Sequence, residues 1–411
     1  MTISFFKASL ASFVVLIASI NFVGIDPADV MLVAVLPILL FGRFDSLFLP
    51  RLEMRVRICI LIFIACYFLS LLISPFNTSF VLNFLSNLAF FYCMYFLTTS
   101  VKRRTNFSNL LVIGFFATNL VELLIIFGPW PEQPFLFEAI RDARYNGPLG
   151  DPNLQALYAI LISLILVDEL VLARNIQLPN AVKVILLLGS IFVLFGTQSR
   201  SAWLAFVVCI PAYFAVVRRD FDVWRLAYAL LLIAILGALT FMALSLSGQS
   251  QLVNDRLQSL SEHDSEAEED RFKLVFTAAA ILVAVQNPLG AGPGMSITAT
   301  GIENSDGNPI GAHNAFVQIF ADNGWGAIAI LLGLLVMVVR RVYDNALKGL
   351  NFCGLSCRVL ICGLLATCII GMFHDLLSWR IAWVFPALAL LSCCLKRTPP
   401  NTQRLHHFPD R

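Results

Sequence analysis

The residues best placed to do chemistry lie in a short polar segment directly before an apolar helix. The segment is 311–316, Gly-Ala-His-Asn-Ala-Phe, and it closes the longest polar loop of a chain that is otherwise largely apolar. His313 therefore lies directly before the start of a predicted transmembrane helix. Its imidazole side chain is of the type that gains and loses a proton near neutral pH. This placement indicates an enzyme that acts on a lipid-linked substrate at a membrane surface.

Three arginines form the second set of candidates, because they fall on the membrane face that usually carries few cations. Arg200 lies in a very tight turn between two apolar helices, where hardly any loop is available to solvate it. Arg144 precedes the polar block 146–153, and Arg271 follows an acidic run in the long loop. The guanidinium group donates in a planar fork that matches phosphate oxygens. The three could hold the pyrophosphate of a polyprenyl-linked sugar; alternatively, each one reaches the lipid headgroups separately.

The elements that must position these residues are transmembrane helices. Hydrophobic residues make up 59% of the 411-residue chain and charged residues 13%. This composition indicates an all-α polytopic membrane protein with one integral membrane domain over residues 1–411. Apolar runs close to the roughly 20 residues that a helix needs to cross the hydrocarbon core predict the spans. The twelve predicted spans are 5–24, 28–49, 58–74, 80–100, 108–128, 152–172, 182–197, 201–217, 226–247, 315–339, 353–373 and 380–395.

The basic residues predict how these spans are oriented. Of the 28 lysines and arginines, 21 fall at the ends that share a side with both termini. Cytoplasmic loops carry an excess of Lys and Arg, so both termini are predicted to be cytoplasmic. The seven basic residues on the external side are Arg141, Arg144, Arg200, Arg256, Arg271, Lys273 and Arg380.

The segment 272–286 decides the topology of the last third of the chain. If it were a thirteenth span, every later loop would be inverted and the basic residues Arg340, Arg341 and Lys348 would be external, against the charge bias. The segment is short for a span and carries a lysine near its start, so we interpret it as an interfacial or core-packed helix. Residues 248–314 are then one long external loop between spans nine and ten.

No metal, cofactor or nucleic-acid partner is predicted. The ten cysteines lie in predicted spans or at their cytoplasmic ends, without a CxxC pair. The acidic run 262–270 precedes a helix, where acidic residues are the ordinary arrangement. The segment 290–294 lacks the Gly-Lys-Ser/Thr of a phosphate loop and predicts a turn leaving the loop helix. Glu122 is an acidic residue well inside a span, and its role stays open.

A secondary polar group is predicted on the same external face. It comprises Asn314 beside His313, and His374, Asp375 and Arg380 in the last external turn. The residues of the last turn could line the acceptor side of a site or form a solvated loop. Asp322 and Trp325, in contrast, are expected to fix the entry of a helix at the membrane interface.

Four sequence blocks occur in an order and spacing that resemble those of the O-antigen ligase and polymerase superfamily of bacterial envelopes. The blocks are Arg144-Tyr145-Asn146-Gly147 with Asp151-Pro152-Asn153; Ser199-Arg200-Ser201-Ala202-Trp203; Arg271 followed by 287–294, Asn-Pro-Leu-Gly-Ala-Gly-Pro-Gly; and His313-Asn314 with Asp322-Asn323-Gly324-Trp325-Gly326. Each block alone is a weak signal, and the resemblance rests on the order of all four.

The resemblance implies an inverting, metal-independent glycosyltransferase of the GT-C type in the bacterial inner membrane, with its active site facing the periplasm. The implied donor is a glycan linked to undecaprenyl pyrophosphate. His313 falls on the general base of the family, and Arg200 and Arg271 fall on pyrophosphate ligands. Arg144 matches a less specific position. Arginines that stabilise the departing pyrophosphate could replace a divalent cation.

The sequence leaves the identity of the acceptor open. A ligase transfers the glycan to the lipid A core oligosaccharide, whereas an O-antigen or exopolysaccharide polymerase joins lipid-linked repeat units. The chain length, twelve spans and single large late loop resemble the ligases more. A polysaccharide or lipid transporter is the rival class, but transporters usually show repeat symmetry and polar sites at the membrane midplane. Here the polar residues gather at one external face.

Overall fold

The computed structural model describes residues 54–73, 107–127, 140–141, 144–145, 147, 151–172, 178–217, 266–302, 313–352, 354–374 and 380–393. Within these ranges the chain is mostly helical. The helices are α1 (Met54–Ile73), α2 (Phe107–Phe127), α3 (Pro152–Leu172), α4 (Asn180–Gly196), α5 (Arg200–Val217), α6 (Glu266–Gln286), α7 (Met295–Ala299), α8 (Ala315–Leu347), α9 (Cys357–Gly371) and α10 (Arg380–Ser392). Two small antiparallel pairs join β1 (Ile140–Arg141) to β2 (Arg144–Tyr145) and β3 (Asn351–Phe352) to β4 (Leu355–Ser356).

Three of the described helices are long and apolar enough to cross a membrane, over Met54–Leu72, Pro152–Leu172 and Ala315–Leu347. Shorter apolar helices lie beside them, among them Asn180–Gly196 and Cys357–Gly371. This architecture is consistent with a helical membrane protein. The predicted spans 5–24, 28–49, 80–100 and 226–247 lie outside the described residues, so the total of twelve stays a prediction.

Helix α3 is the centre of the described structure. Its side chains are buried from Leu154 through Glu169, because α2, α4, α5, α9 and α10 all pack around it. Of the 18 most apolar consecutive residues of α3, 89% are buried. In the equivalent stretches of α1 and α8, 17% are buried. Because α3 is apolar on every face, it can form the core of the bundle.

Several predicted boundaries differ from the structure, most clearly at the start of α9 and at the end of α8. The span predicted at 353–373 begins only at Cys357, because residues 351–352 and 355–356 form the β3–β4 pair and Ser356 caps the helix by accepting from the Val359 backbone N–H. Helix α8 continues to Leu347, beyond the predicted end at 339.

The predicted cytoplasmic end of α3 carries charges that are buried. Asp168 and Glu169 are the last buried residues of the helix. Lys183 Nζ of α4 lies 3.7 Å from Glu169 Oε2, with both side chains under 5% exposed. The Tyr213 hydroxyl of α5 donates to Asp168 Oδ1 at 2.6 Å. Lys183 therefore does more than signal topology, since it neutralises a carboxylate inside the bundle.

Candidate functional site

Arg200 is positioned by a three-residue turn between α4 and α5. Gln198 in this turn has a left-handed backbone with φ of 51°, which a glutamine adopts only when its surroundings impose it. The Thr197 hydroxyl donates to the Leu194 carbonyl at 2.7 Å at the end of α4. Arg200 is the first residue of α5 and is half-buried. The expectation that this turn offers little exposed loop is confirmed.

A chain of side-chain contacts flanks Arg200. The Ser199 hydroxyl donates to Asn153 Oδ1 of α3 at 2.7 Å. The Ser199 and Ser201 hydroxyl oxygens lie 3.3 Å apart, and His374 Nε2 lies 2.9 Å from Ser201 Oγ. The structure thus brings His374, a residue of the predicted secondary group, against the Arg200 turn.

His313 lies directly before the first turn of α8. It is exposed and has a left-handed φ of 42°. Asn314 is the N-cap of the helix, and its Oδ1 accepts from the backbone N–H groups of Phe316 at 3.0 Å and Val317 at 3.1 Å. This cap fixes the chain direction at the helix entrance. Asn314 therefore holds the helix start that presents His313.

The segment 287–294 packs its backbone against a break in α8, and we call the two together the glycine lock. Gly324 is non-helical, with φ of 79° and ψ of −177°. The Ala291 N–H donates to the Ala321 carbonyl at 2.9 Å, and the Gly292 N–H to the Asp322 carbonyl at 3.0 Å. In return the Trp325 N–H donates to the Pro288 carbonyl at 3.0 Å. The break frees these backbone groups, and the turn satisfies them.

Two glycines of the lock allow this approach. A Cβ on Gly290 would lie 2.2 Å from the Asp322 carbonyl oxygen, and one on Gly324 would lie 2.3 Å from the Pro288 carbonyl oxygen. The Asp322 carboxylate also accepts from the Ser296 N–H at 2.9 Å. Segment 290–294 is thus the predicted turn after α6. Asp322 holds the start of α7, whereas its expected role in fixing a helix entry at the membrane interface stays a prediction.

The lock joins the helix that carries Arg271 to the helix that begins after His313. Arg271 lies in the second turn of α6, and its side chain is outside the described residues. Ala280, Val283 and Ala284 of α6 form an apolar cluster with Ala321 of α8, while Leu274 and Val275 are exposed. A helix is present where the interfacial or core-packed helix was expected, and it begins earlier than predicted, at Glu266. Its place in an external loop stays a prediction.

The first sequence block is anchored by polar residues that the sequence reading overlooked. The Tyr145 hydroxyl and Gln155 Nε2 both donate to Asn119 Oδ1, at 2.8 and 2.9 Å. Gly147 closes over Gln155, since a Cβ there would lie 2.3 Å from Gln155 Cδ. In the sequence, Asn119 and Gln155 are isolated polar residues inside predicted spans. This isolation is the sequence feature that could have indicated a polar contact between the helices. Arg144 pairs with Arg141 in the adjoining strands, and its side chain is not described.

Other predicted residues are located only in part. Asp375 lies outside the described residues. Arg380 begins α10, and Glu122 lies in α2, with both side chains outside the described part. Helices α5 and α8 are in contact, so Arg200 and His313 lie at the beginnings of two neighbouring helices. Within the described ranges, no three His, Cys, Asp or Glu side chains are grouped closely enough to hold a metal ion.

Comparison with known proteins agrees with this arrangement. Residues 185–332 match the family model described as O-antigen ligase. The matched segment contains Arg200, Arg271 and His313. The match supports the resemblance to the O-antigen ligase superfamily that the four sequence blocks indicate. No curated protein matched the chain.

The class of protein follows from the family and the helical structure. The family covers O-antigen ligases and related polymerases. The match and the apolar helices therefore make this chain similar to membrane enzymes of the glycosyltransferase or ligase kind.

Proposed function

We propose that this protein is an O-antigen ligase, which transfers a glycan from undecaprenyl pyrophosphate to the lipid A core oligosaccharide. The observation that carries the proposal is the half-buried Arg200, held at a helix start by the Ser199 to His374 contacts, inside the segment that matches the O-antigen ligase family. A fixed guanidinium at a membrane face suits a pyrophosphate because its fork of donors matches two phosphate oxygens.

The proposed reaction needs only side chains of this chain. The oxygen of an acceptor hydroxyl attacks the anomeric carbon, and the bond from that carbon to the pyrophosphate oxygen breaks. The electron pair leaves with undecaprenyl pyrophosphate, where Arg200 and Arg271 stabilise the developing charge, with Arg144 as a weaker candidate. The hydroxyl proton passes to His313. Attack opposite the leaving group inverts the anomeric centre, and no metal ion takes part.

The proposed setting is the bacterial inner membrane. Twelve spans in a GT-C-type architecture would place both termini in the cytoplasm and the loop 248–314 in the periplasm, within one integral membrane domain of residues 1–411. The exposure of His313 supports this role, since a general base must be reachable by an acceptor that comes from outside the bilayer.

The first experiment deletes the gene and compares the lipopolysaccharide gel profile with the pool of undecaprenyl-linked glycan. A ligase predicts lipid A core without O antigen and an accumulation of long lipid-linked polymer. Core capped with single repeats would identify a polymerase, which differs from a ligase only in its acceptor. An unchanged profile would contradict both functions.

Complementation with His313→Ala tests the catalytic assignment. We expect the variant to insert normally and to bind the lipid-linked donor, but to lose about 10²- to 10⁴-fold in kcat, the usual contribution of a general base. Thr298→Ala, an exposed position on α7, is the control and should retain wild-type transfer. Wild-type turnover by His313→Ala would remove His313 from the chemistry.

A further inference from the structure

The contacts beside Arg200 form a hydrogen-bond chain with a single direction, which we call the positioning chain. It runs through His374, Ser201, Ser199 and Asn153. The Ser199 hydroxyl uses its one hydrogen on Asn153 Oδ1, at 2.7 Å. The contact of 3.3 Å between the two serine oxygens then takes its hydrogen from Ser201. Since a hydroxyl carries one hydrogen, a Ser201 hydroxyl that donates to Ser199 accepts from His374 Nε2 at 2.9 Å, in the tautomer or cation with hydrogen on Nε2.

The positioning chain joins three separate parts of the described bundle. Asn153 is in the first turn of α3, the two serines flank the start of α5, and His374 follows the end of α9. Ser199 and Ser201 are both buried, so their hydroxyls need these partners. Arg200 stands between them in sequence. The chain therefore fixes the backbone on both sides of the arginine.

The turn needs such support because it is strained. Gln198 holds a left-handed backbone with φ of 51°, a conformation that persists only where neighbouring contacts impose it. The Asp151 carboxylate reinforces the Asn153 end, since it accepts from the Asn153 N–H at 2.7 Å and the Leu154 N–H at 3.0 Å. At the other end, His374 is the terminal donor.

We propose that His374 is a positioning residue for the donor, acting through Ser201 and Ser199 on the direction of Arg200. This inference rests on the proposed function, in which Arg200 binds the pyrophosphate. His374 itself transfers no proton in the reaction. Its required property is a hydrogen donated to Ser201 Oγ, which a neutral imidazole with hydrogen on Nε2 supplies as well as an imidazolium does.

The kinetic test uses the purified full-length protein with lipid-linked donor and lipid A core acceptor. In His374→Ala we expect the KM for the donor to rise about tenfold, which corresponds to about 1.4 kcal/mol. We expect kcat to fall as well, because Arg200 also stabilises the charge that develops on the leaving pyrophosphate. His374→Gln should restore the KM, because its amide Nε2 also donates. Phe373→Ala, at the exposed neighbouring position, is the control and should behave as wild type.

Two kinetic results would overturn the proposal. One is an unchanged donor KM in His374→Ala. The other is a loss of kcat that His374→Gln does not restore, because that would assign proton chemistry to the imidazole ring.

Amide hydrogen exchange tests the positioning chain independently of the enzymatic function. Exchange in a peptide covering 197–203 should be faster in His374→Ala and Ser199→Ala than in wild type and Phe373→Ala. If the wild-type protein glycosylates no acceptor, the proposed function fails, and the exchange data still decide whether His374 holds the turn. Equal exchange in all four proteins would refute the positioning role even in an active enzyme.

Discussion

Arg200 lies at the fixed start of α5. Substituting it by alanine and by lysine separates the effect of its positive charge from the effect of the planar guanidinium shape. Arg200→Ala should raise the donor KM about tenfold or more, since hydrogen bonds to charged groups contribute about 1.5–3 kcal/mol each. Arg200→Lys should recover only part of this, because an ammonium lacks the planar fork. The measurement is transfer velocity against donor concentration.

Arg340→Ala is the matched control for that series, since Arg340 is an exposed arginine of α8. It should leave the donor KM unchanged. If Arg200→Lys equals wild type, bidentate recognition of the phosphate is wrong and a point charge suffices.

At the residue scale, local geometry could be predicted from the sequence better than contacts between distant residues. Arg200 in a tight turn follows directly from the short separation of two apolar runs. Asn119 and Gln155 could not be foreseen as partners, because a single polar residue in a span does not reveal which helix it faces. The Ser201 to His374 contact joins residues that are distant in sequence, so only the packing of α5 against α9 brings them together.

At the scale of the helices, the glycine lock holds α6 and α7 against α8. Gly324→Ala and Gly290→Ala should both reduce the yield and melting temperature of the detergent-purified protein, because a Cβ would lie within 2.3 Å of a backbone oxygen and the native φ is positive at both positions. We expect a loss of at least about 1–3 kcal/mol for each, the usual cost of backbone strain.

Gly333→Ala provides the control within the same helix. A Cβ at Gly333 meets no atom within 4 Å, and alanine is a better helix former than glycine by about 1 kcal/mol. This variant should be as stable as wild type or slightly more stable. Equal stability of Gly324→Ala and Gly333→Ala would show that the lock is not rigid.

The sequence predicted the elements more closely than their interruptions. The predicted span 152–172 coincides with α3, because its apolar run is bounded by Asp151-Pro152 at the start. The break at Gly324 was not predicted, since a single glycine is compatible with an apolar helix. Its cause is tertiary, namely the approach of the 287–294 turn to the freed carbonyls of α8. The pair β3–β4 likewise shortens the span predicted at 353–373.

For the whole molecule, breaking the buried ion pair between Lys183 and Glu169 should be strongly destabilising. Lys183→Met removes the ammonium group that faces the buried Glu169 carboxylate, and breaking a buried ion pair in this way usually costs about 3–5 kcal/mol of unfolding free energy. The double change Lys183→Met with Glu169→Leu should recover most of it, because an apolar pair avoids desolvation. Thermal unfolding in detergent measures both, with Lys348→Met at an exposed site as control.

The orientation of the whole chain can be tested with reporter fusions. Alkaline phosphatase, active only outside the cytoplasm, should be active when fused after residue 302 and inactive after residue 348 or 411. A fluorescent protein that folds only in the cytoplasm should show the reverse pattern. Activity of both phosphatase fusions at 302 and 348 would mean that α8 does not cross the membrane.

The contact between Glu169 and Lys183 also affects how α3 and α4 are inserted into the membrane during synthesis. If α3 left the translocon alone, Asp168 and Glu169 would enter lipid without a cation, at a cost of up to about 3 kcal/mol each near the helix centre and less toward its ends. The next helix to be synthesised, α4, brings Lys183 and packs extensively against α3. We therefore expect the two to enter the bilayer as one hairpin, so that the ribosome must have delivered α4 before the central helix can settle.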